Sequence, residues 1–234
     1  MATHQEQAVI DLREMILTGV LVPGQRVTET ALTASLGISR TPVRYALTAL
    51  SQEGLLTSLG KRGYVVSKFD IDDVLGAIDV RGVLEGLAAR SVAERVLDGQ
   101  LRRRLHDCLD IGDALFAKGY LVAGDAARYS EMNRQFHALI TDGAANDALN
   151  HLLGLNSSVP FSAAGAFAFD NAELAQQYRT LNYAHMQHHA IVQALEQGEG
   201  ARAEALMAEH TNAAKHSLNM AGEQLWTNDS GSAP

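Results

Sequence analysis

Between residues 5 and 18 the apolar positions Val9, Leu12 and Ile16 recur at helical spacing, and Gly19 stands just past the end. A V-P-G-Q turn follows at 22–25. Glu29 to Leu36 reads as a short second helix closed by Gly37, where positive φ costs glycine little. A third helix runs to about Gln52. Ser39 is placed to cap it through its hydroxyl, and Pro42 falls in its first turn, where no backbone donor is missed. Val43, Ala46, Leu47 and Leu50 share its inner face; Arg40, Thr41, Arg44 and Thr48 lie on the other side. Leu55–Leu59 and Tyr64–Ser67 are strand-like, joined by G-K-R-G at 60–63. The first 70 residues therefore predict three helices and a β-hairpin.

From Asp70 the pattern changes. D-I-D-D opens a helix with acidic residues, which suits the helix dipole. Helical periodicity then covers about 71–97, 99–118, 123–141, 145–156, 171–197 and 199–221, with no convincing strand. Ser158–Asn171 fits neither period and reads as irregular. The expected fold is mainly α: a winged helix-turn-helix at 1–69, an all-α antiparallel helical bundle at 70–226, and a disordered tail at 227–234.

Composition narrows the class. With 47% hydrophobic residues in 234, a substantial core is available. No apolar run approaches the roughly 18 residues of a membrane span, and the N-terminus lacks a basic segment followed by an apolar one. Cys108 is the single cysteine, so no intrachain disulfide forms and a cytoplasmic location is expected. Its neighbours Leu101, Leu105 and Leu109 favour a small buried apolar role over a reactive thiol. The net charge of −8 argues at first against nucleic acid, but it is unevenly spread. Residues 1–70 hold seven Lys/Arg against six Asp/Glu, whereas 71–234 hold twelve against twenty-one. A binding face depends on such local clustering, and the split implies two modules with different tasks.

The first module has the parts of a DNA reader. Helix, turn, basic helix and basic hairpin occur in order, and a recognition helix presents its N-terminal residues to the major groove. Arg40 and Arg44 are one turn apart on one face, and arginine bonds guanine O6 and N7 together or clamps phosphate. Thr41 and Thr48 are short donors beside them. Lys61 and Arg62 at the wing tip are placed to track the minor groove or its phosphates, with Gly63 admitting close backbone approach. The competing reading is a surface helix with solvated arginines.

The second module is rich in histidine. Asn133 and His137 are i and i+4 and share a face, with Met132, Phe136 and Ile140 on the adjoining apolar strip. His188 precedes Ile191 and Leu195 by three and seven residues, which puts it on a buried stripe. His189 is rotated away from that stripe, and His185 at −3 is a further candidate to face in. His210 aligns with Ala203, Met207 and Ala214, while His216 points elsewhere. Three inward imidazoles from three helices, with a fourth position open, form a common divalent-metal arrangement. Hydrogen-bonded core histidines are the alternative reading of the same spacing. Arg81, four residues before Glu85, forms either an i,i+4 ion pair or a cation facing the bundle cavity.

The segment I-L-T-G-V-L-V-P-G-Q-R-V-T-E-T through R-G-Y-V-V resembles the DNA-binding domain of the GntR family of bacterial transcription regulators. The P-G turn, Glu29, the S-R-T-P-V-R block, E-G-L and R-G-Y fall in order over about residues 6–68. That resemblance implies that Arg40, Thr41, Arg44 and Gly63 contact operator DNA. Tyr45 stands where many relatives have Glu, which removes a negative charge near phosphate. V-R-G-V-L-E-G-L-A-A-R (Val80 to Arg90), N-R-Q-F-H-A-L-I (Asn133 to Ile140) and the stretch from His188 to His210 resemble the FCD domain of the FadR branch, VanR-type members in particular. This implies a divalent metal held by Asn133, His137, His188 and His210, with zinc first and nickel or manganese as alternatives. Asn133 replaces the usual Asp, and a neutral amide is the weaker ligand. It further implies a small organic-acid effector near the metal, with Arg81 as a candidate contact; Phe161, Phe167 and Phe169 of the irregular segment wall either that cavity, where Phe161 is a candidate effector contact, or a dimer contact.

The expected protein is a homodimeric, metal-containing repressor of a catabolic operon that reads a palindromic operator. A metal-dependent hydrolase would need a positioned base. No H-E-x-x-H, G-x-S-x-G, P-loop or dinucleotide fingerprint occurs, and Glu209 is rotated about 100° from His210 on a helix. A ligand-independent architectural DNA binder would not need so large a histidine-bearing bundle.

Overall fold

The computed structural model describes residues 4–17, 19–68, 70–122, 124–157, 159–160, 162–164 and 174–216. α1 (His4–Leu17) buries Ala8, Leu12 and Ile16, spaced four apart, against α3. α2 (Glu29–Leu36) starts at Thr28, whose Oγ1 accepts the Ala31 N–H at 3.3 Å. It ends at Gly37, φ 66°, whose N–H returns to the Thr33 carbonyl. α3 (Arg40–Gln52) buries Pro42, Val43, Ala46, Leu47 and Leu50. Ser39 is extended ahead of α3, but its hydroxyl makes no capping bond, contrary to expectation. Arg13 of α1 is buried and donates to both Glu53 carboxylate oxygens at 2.8 and 2.7 Å, tying α1 to the end of α3.

The wing is a three-stranded antiparallel sheet in the order β1–β3–β2, formed by β1 (Arg26–Val27), β2 (Leu56–Ser58) and β3 (Tyr64–Val66). β1 was not anticipated: two residues carry no period, and the strand exists only through pairing with β3. A 3₁₀ turn, Gly60–Arg62, connects β2 to β3. Gly63 has φ 94°, and a Cβ there would stand 2.6 Å from the Val27 carbonyl oxygen. The close approach that demands glycine is thus to β1. Gly63→Ala is expected to destabilise the wing by about 1–3 kcal/mol, measured as a lower urea midpoint.

The second half contains α4 (Ile71–Ala93), α5 (Gly99–Phe116), α6 (Asp125–Gly143), α7 (Asp147–Asn156), α8 (Leu174–Glu196) and α9 (Gly200–His210). α4 stops at Ala93, short of the expected 97. Asp98 then caps α5, accepting the Gln100 and Leu101 N–H groups at 2.8 and 2.9 Å. Arg95, in the gap, donates to the Ala144 carbonyl just beyond α6.

α4 is the central element, packing on α6, α7 and α8 and most extensively on α9. Small residues permit that contact: a Cβ at Gly82 would lie 2.9 Å from Thr211 Oγ1, and one at Gly86 3.0 Å from the Glu204 carbonyl. Cys108 is buried, and burial pushes its thiol up to about 11, an unreactive residue. Among the described residues no helix is long and apolar enough to cross a membrane. Phe161, Phe167 and Phe169 and the tail 227–234 lie outside the described residues.

Candidate DNA interface and candidate metal centre

α3 turns Arg40, Thr41, Arg44 and Thr48 to solvent, all exposed, while its apolar stripe closes on α1 and α2. Arg44 is 67% exposed at the side chain, yet it is held: Nε donates to Glu29 Oε1 at 2.9 Å and Nη2 to Oε2 at 3.0 Å. This fork joins the two helices of the motif. It holds Glu29 below the usual carboxylate range, through its hydrogen bond to Arg44. Thr48 spends its hydroxyl proton on the Arg44 carbonyl at 3.0 Å, so its donor points back along the helix. Tyr45 is exposed beside the arginines. Lys61 and Arg62 are exposed at the wing tip, where the Arg62 carbonyl accepts Arg26 Nε at 2.8 Å.

The bundle brings His137 of α6, His188 of α8 and His210 of α9 together, all three buried, with one ring nitrogen of each within 4.8 Å of the others. His188 Nε2 and His210 Nε2 are 3.1 Å apart. The outer nitrogens have partners: His137 Nδ1 meets Glu85 Oε2 at 2.9 Å, and His210 Nδ1 meets Gln187 Oε1 at 3.1 Å. An N–H at each Nδ1 satisfies these acceptors and leaves both Nε2 lone pairs facing inward, the state a metal requires. His188 Nδ1 has no hydrogen-bond partner. Asn133 is buried one turn before His137; its Nδ2 donates to the Ala164 carbonyl, and its Oδ1 is unpartnered. Three convergent imidazoles and an orphaned amide oxygen fit a divalent ion. Sequence reasoning missed Glu85 and Gln187 as ring-orienting groups, because only the packing of α4 and α8 brings them to these histidines.

Burial lowers the pKa of His188 well below the ordinary histidine value, with the nearby His210 and His137 adding to it, and does the same to His210. Both rings are therefore neutral in the fold. An unfolded chain binds more protons than the fold once pH drops through about 6.5. The metal-free protein is expected to lose stability between about pH 7 and pH 5, read as a falling Tm. A flat Tm would mean these rings are not buried as described.

A cavity of about 250 Å³ adjoins the cluster, lined by Arg81, Glu85, Arg134, His137, Asn156 and Ser162 among others. Arg81 and Glu85 are both buried there. The Arg81 Nε to Glu85 separation of 3.7 Å is an ion pair without a hydrogen bond. Arg81 Nη1 donates to the Ser162 carbonyl at 2.5 Å, and its Nε has no hydrogen-bond partner. Burial pushes the Glu85 carboxyl up, but His137 and Arg81 outweigh it and hold the group ionised. Arg81 thus pairs with Glu85 and also lines the cavity.

A winged helix bearing an exposed arginine pair, fused to a helical bundle with a pocket that reaches a buried arginine and histidine, defines a DNA-binding regulator joined to a sensor domain. The model of bacterial regulatory proteins of the gntR family matches residues 4–66, and that of the FCD domain matches residues 77–213. The chain belongs to the gntR family and carries an FCD domain. An HTH-type transcriptional regulator in an unstable DNA locus of Streptomyces ambofaciens, itself uncharacterised, is 48% identical over 54 residues. That match covers 23% of this chain and 23% of the relative, so the chain spans about a quarter of that relative's length. Among solved structures, E. coli McbR/YncC aligns at TM-score 0.57 and 20% identity, over 96% of this chain and 99% of that one. A protein of Rhodococcus sp. RHA1 described as a GntR transcriptional regulator aligns at TM-score 0.55 and 22% identity, over 92% and 97%. At these identities the likeness is one of fold.

Proposed function

We propose that this protein is a ligand-responsive transcription factor that binds a palindromic operator as a homodimer and represses a catabolic operon. In this reading residues 1–69 bind DNA and 70–226 sense the effector and dimerise. The observation that carries it is the outer face of α3, where Arg40, Thr41, Arg44 and Thr48 stand exposed in one row. Arg44, oriented by Glu29, reads base edges or clamps phosphate, and Arg40 lies one turn nearer the helix start. Thr41 and Thr48 lie beside the arginines on that face. Lys61 and Arg62 follow the adjacent phosphates, and Gly63 sets the wing geometry that presents them.

Dimerisation is supported by α4. Its outward stripe Val80, Val83 and Leu87 is exposed, an unusual run of apolar side chains on a charged bundle. Two copies joined there would present two recognition helices to half-sites related by the same two-fold axis.

The effector reading rests on the cavity. Its size suits a small organic acid, and the Arg81 guanidinium that lines it beside the histidine cluster attracts a carboxylate. The metal, zinc or another divalent ion, would be held by His137, His188 and His210 with the Asn133 oxygen, and when bound it supplies a Lewis-acidic position for that carboxylate. Arg81 and Glu85 orient the acid and His137 respectively. Effector binding shifts the bundle toward the arrangement it prefers, and operator affinity falls by the same coupling.

A gel shift on DNA upstream of the gene, repeated with a panel of organic acids, tests the proposal. Operator affinity is expected to drop about 10³–10⁵-fold between 50 and 200 mM salt if six to ten phosphates are contacted. A salt-insensitive affinity would remove phosphate contact from the mechanism.

A further inference from the structure

A second set of metal-ligating side chains lies outside this cavity, on the face where α5 meets α8. His185 and His189 are i and i+4 on α8, so both rings leave the helix on one side. Their Nε2 atoms converge on a single oxygen, Asp113 Oδ1 of α5, at 3.0 and 2.9 Å. The three candidate donor atoms lie within 4.8 Å of one another.

α5 is shaped to admit this arrangement. A Cβ on Gly112 would come within 2.1 Å of the His185 ring, so glycine at that position is what seats the imidazole against the helix. Phe116, one turn on, closes the other side with ring centroids 5.5 Å apart. His185 Nδ1 has no hydrogen-bond partner, so Asp113 alone keeps the ring proton on Nε2, and an ion bound there takes the Nε2 lone pair as that proton moves to Nδ1. Access is open: the side chains of Asp113 and His189 are 55% and 36% exposed, and His185 is buried beneath them.

We infer that Asp113, His185 and His189 form a second, solvent-facing site for a divalent transition metal, distinct from the buried histidine cluster. Two imidazoles and a carboxylate with the remaining positions left to water select a borderline ion such as Zn²⁺, Ni²⁺ or Co²⁺ over Mg²⁺ or Ca²⁺. Tetrahedral ligands at about 2.0–2.2 Å from zinc sit about 3.4 Å from one another. The nitrogen–oxygen contacts seen here need to open by only about 0.5 Å to take one in. The two sites are neighbours on one helix: His185 and His188 have ring centroids 5.7 Å apart. Ions in both would repel through this pair of rings, so the outer site fills more weakly when the inner one is loaded.

The test is a titration of full-length, metal-stripped protein with Co²⁺ and Zn²⁺, followed by metal analysis after gel filtration. Wild type is expected to retain two equivalents. His189→Ala, a surface change that spares the fold, retains one and binds the lost ion at least about tenfold more weakly. His188→Gln also retains one, and combining it with His189→Ala leaves none. If only the inner cluster fails to bind, the equivalent that depends on His189 persists and this inference stands. If wild type and His189→Ala hold the same number of ions with the same affinities, the three side chains are a hydrogen-bonded cluster alone and the inference is overturned.

Discussion

Arg44→Ala is expected to weaken specific operator binding roughly 5- to 150-fold, the range for losing one bidentate base contact. The fold should be untouched, because the side chain is largely in solvent and its bond to Glu29 contributes little as an exposed pair. The structure adds a reason for the effect to be large. Glu29 holds the guanidinium at both carboxylate oxygens, so Arg44 reaches DNA with its torsions already chosen and loses less entropy on binding. The same fork leaves the remaining guanidinium N–H groups for DNA. Fluorescence anisotropy on operator and scrambled duplexes separates the two roles: a base reader loses affinity for operator selectively, whereas a phosphate clamp loses it for both. Equal binding of the variant and wild type to operator would end the assignment of α3 as the recognition helix.

His188→Gln is expected to remove the ion of the buried cluster and, with it, the response of operator binding to organic acids. His188 is fully buried, stacked on Phe136 at 4.2 Å between ring centroids, with Nε2 turned toward His210. Glutamine approximates its volume, so a cavity penalty does not dominate. In wild type, metal at about a thousandfold over its Kd stabilises the fold by about 4 kcal/mol. The variant loses that increment, visible as a Tm that no longer rises with metal in the buried site. Glu85→Gln is the graded companion: it keeps the three rings but weakens the partner of His137 Nδ1, and about 10–100-fold in metal affinity is expected. A His188→Gln variant whose metal content and metal-dependent Tm match those of wild type would leave these histidines as core residues only.

Much of this site was legible in one dimension. The inward placement of His137, His188 and His210 follows from where each stands relative to Phe136, Ile191 and Met207 on its own helix. The partition of α3 into a buried stripe and an arginine face follows from the same 3.6-residue period. Gly37 ends α2 in the left-handed conformation its place in the pattern indicates. Ser39 shows where such reasoning stops. A capping residue in the right position still needs its side chain turned toward the helix, and here it is not.

What the sequence by itself determined is the set of helices, their buried faces and the outward row of basic residues, because these depend on neighbours three and four positions away. What only the tertiary structure decided is which polar groups meet. Glu85 reaches His137 across 52 positions, Arg13 reaches Glu53 across 40, and Asp113 reaches His185 across 72. β1 belongs to the same class, since two residues become a strand only when β3 arrives beside them. Periodicity records the side of a helix on which a residue lies. Which other helix covers that side is set by the packing of the whole core, and so the partners of these buried charges and rings appear only in three dimensions.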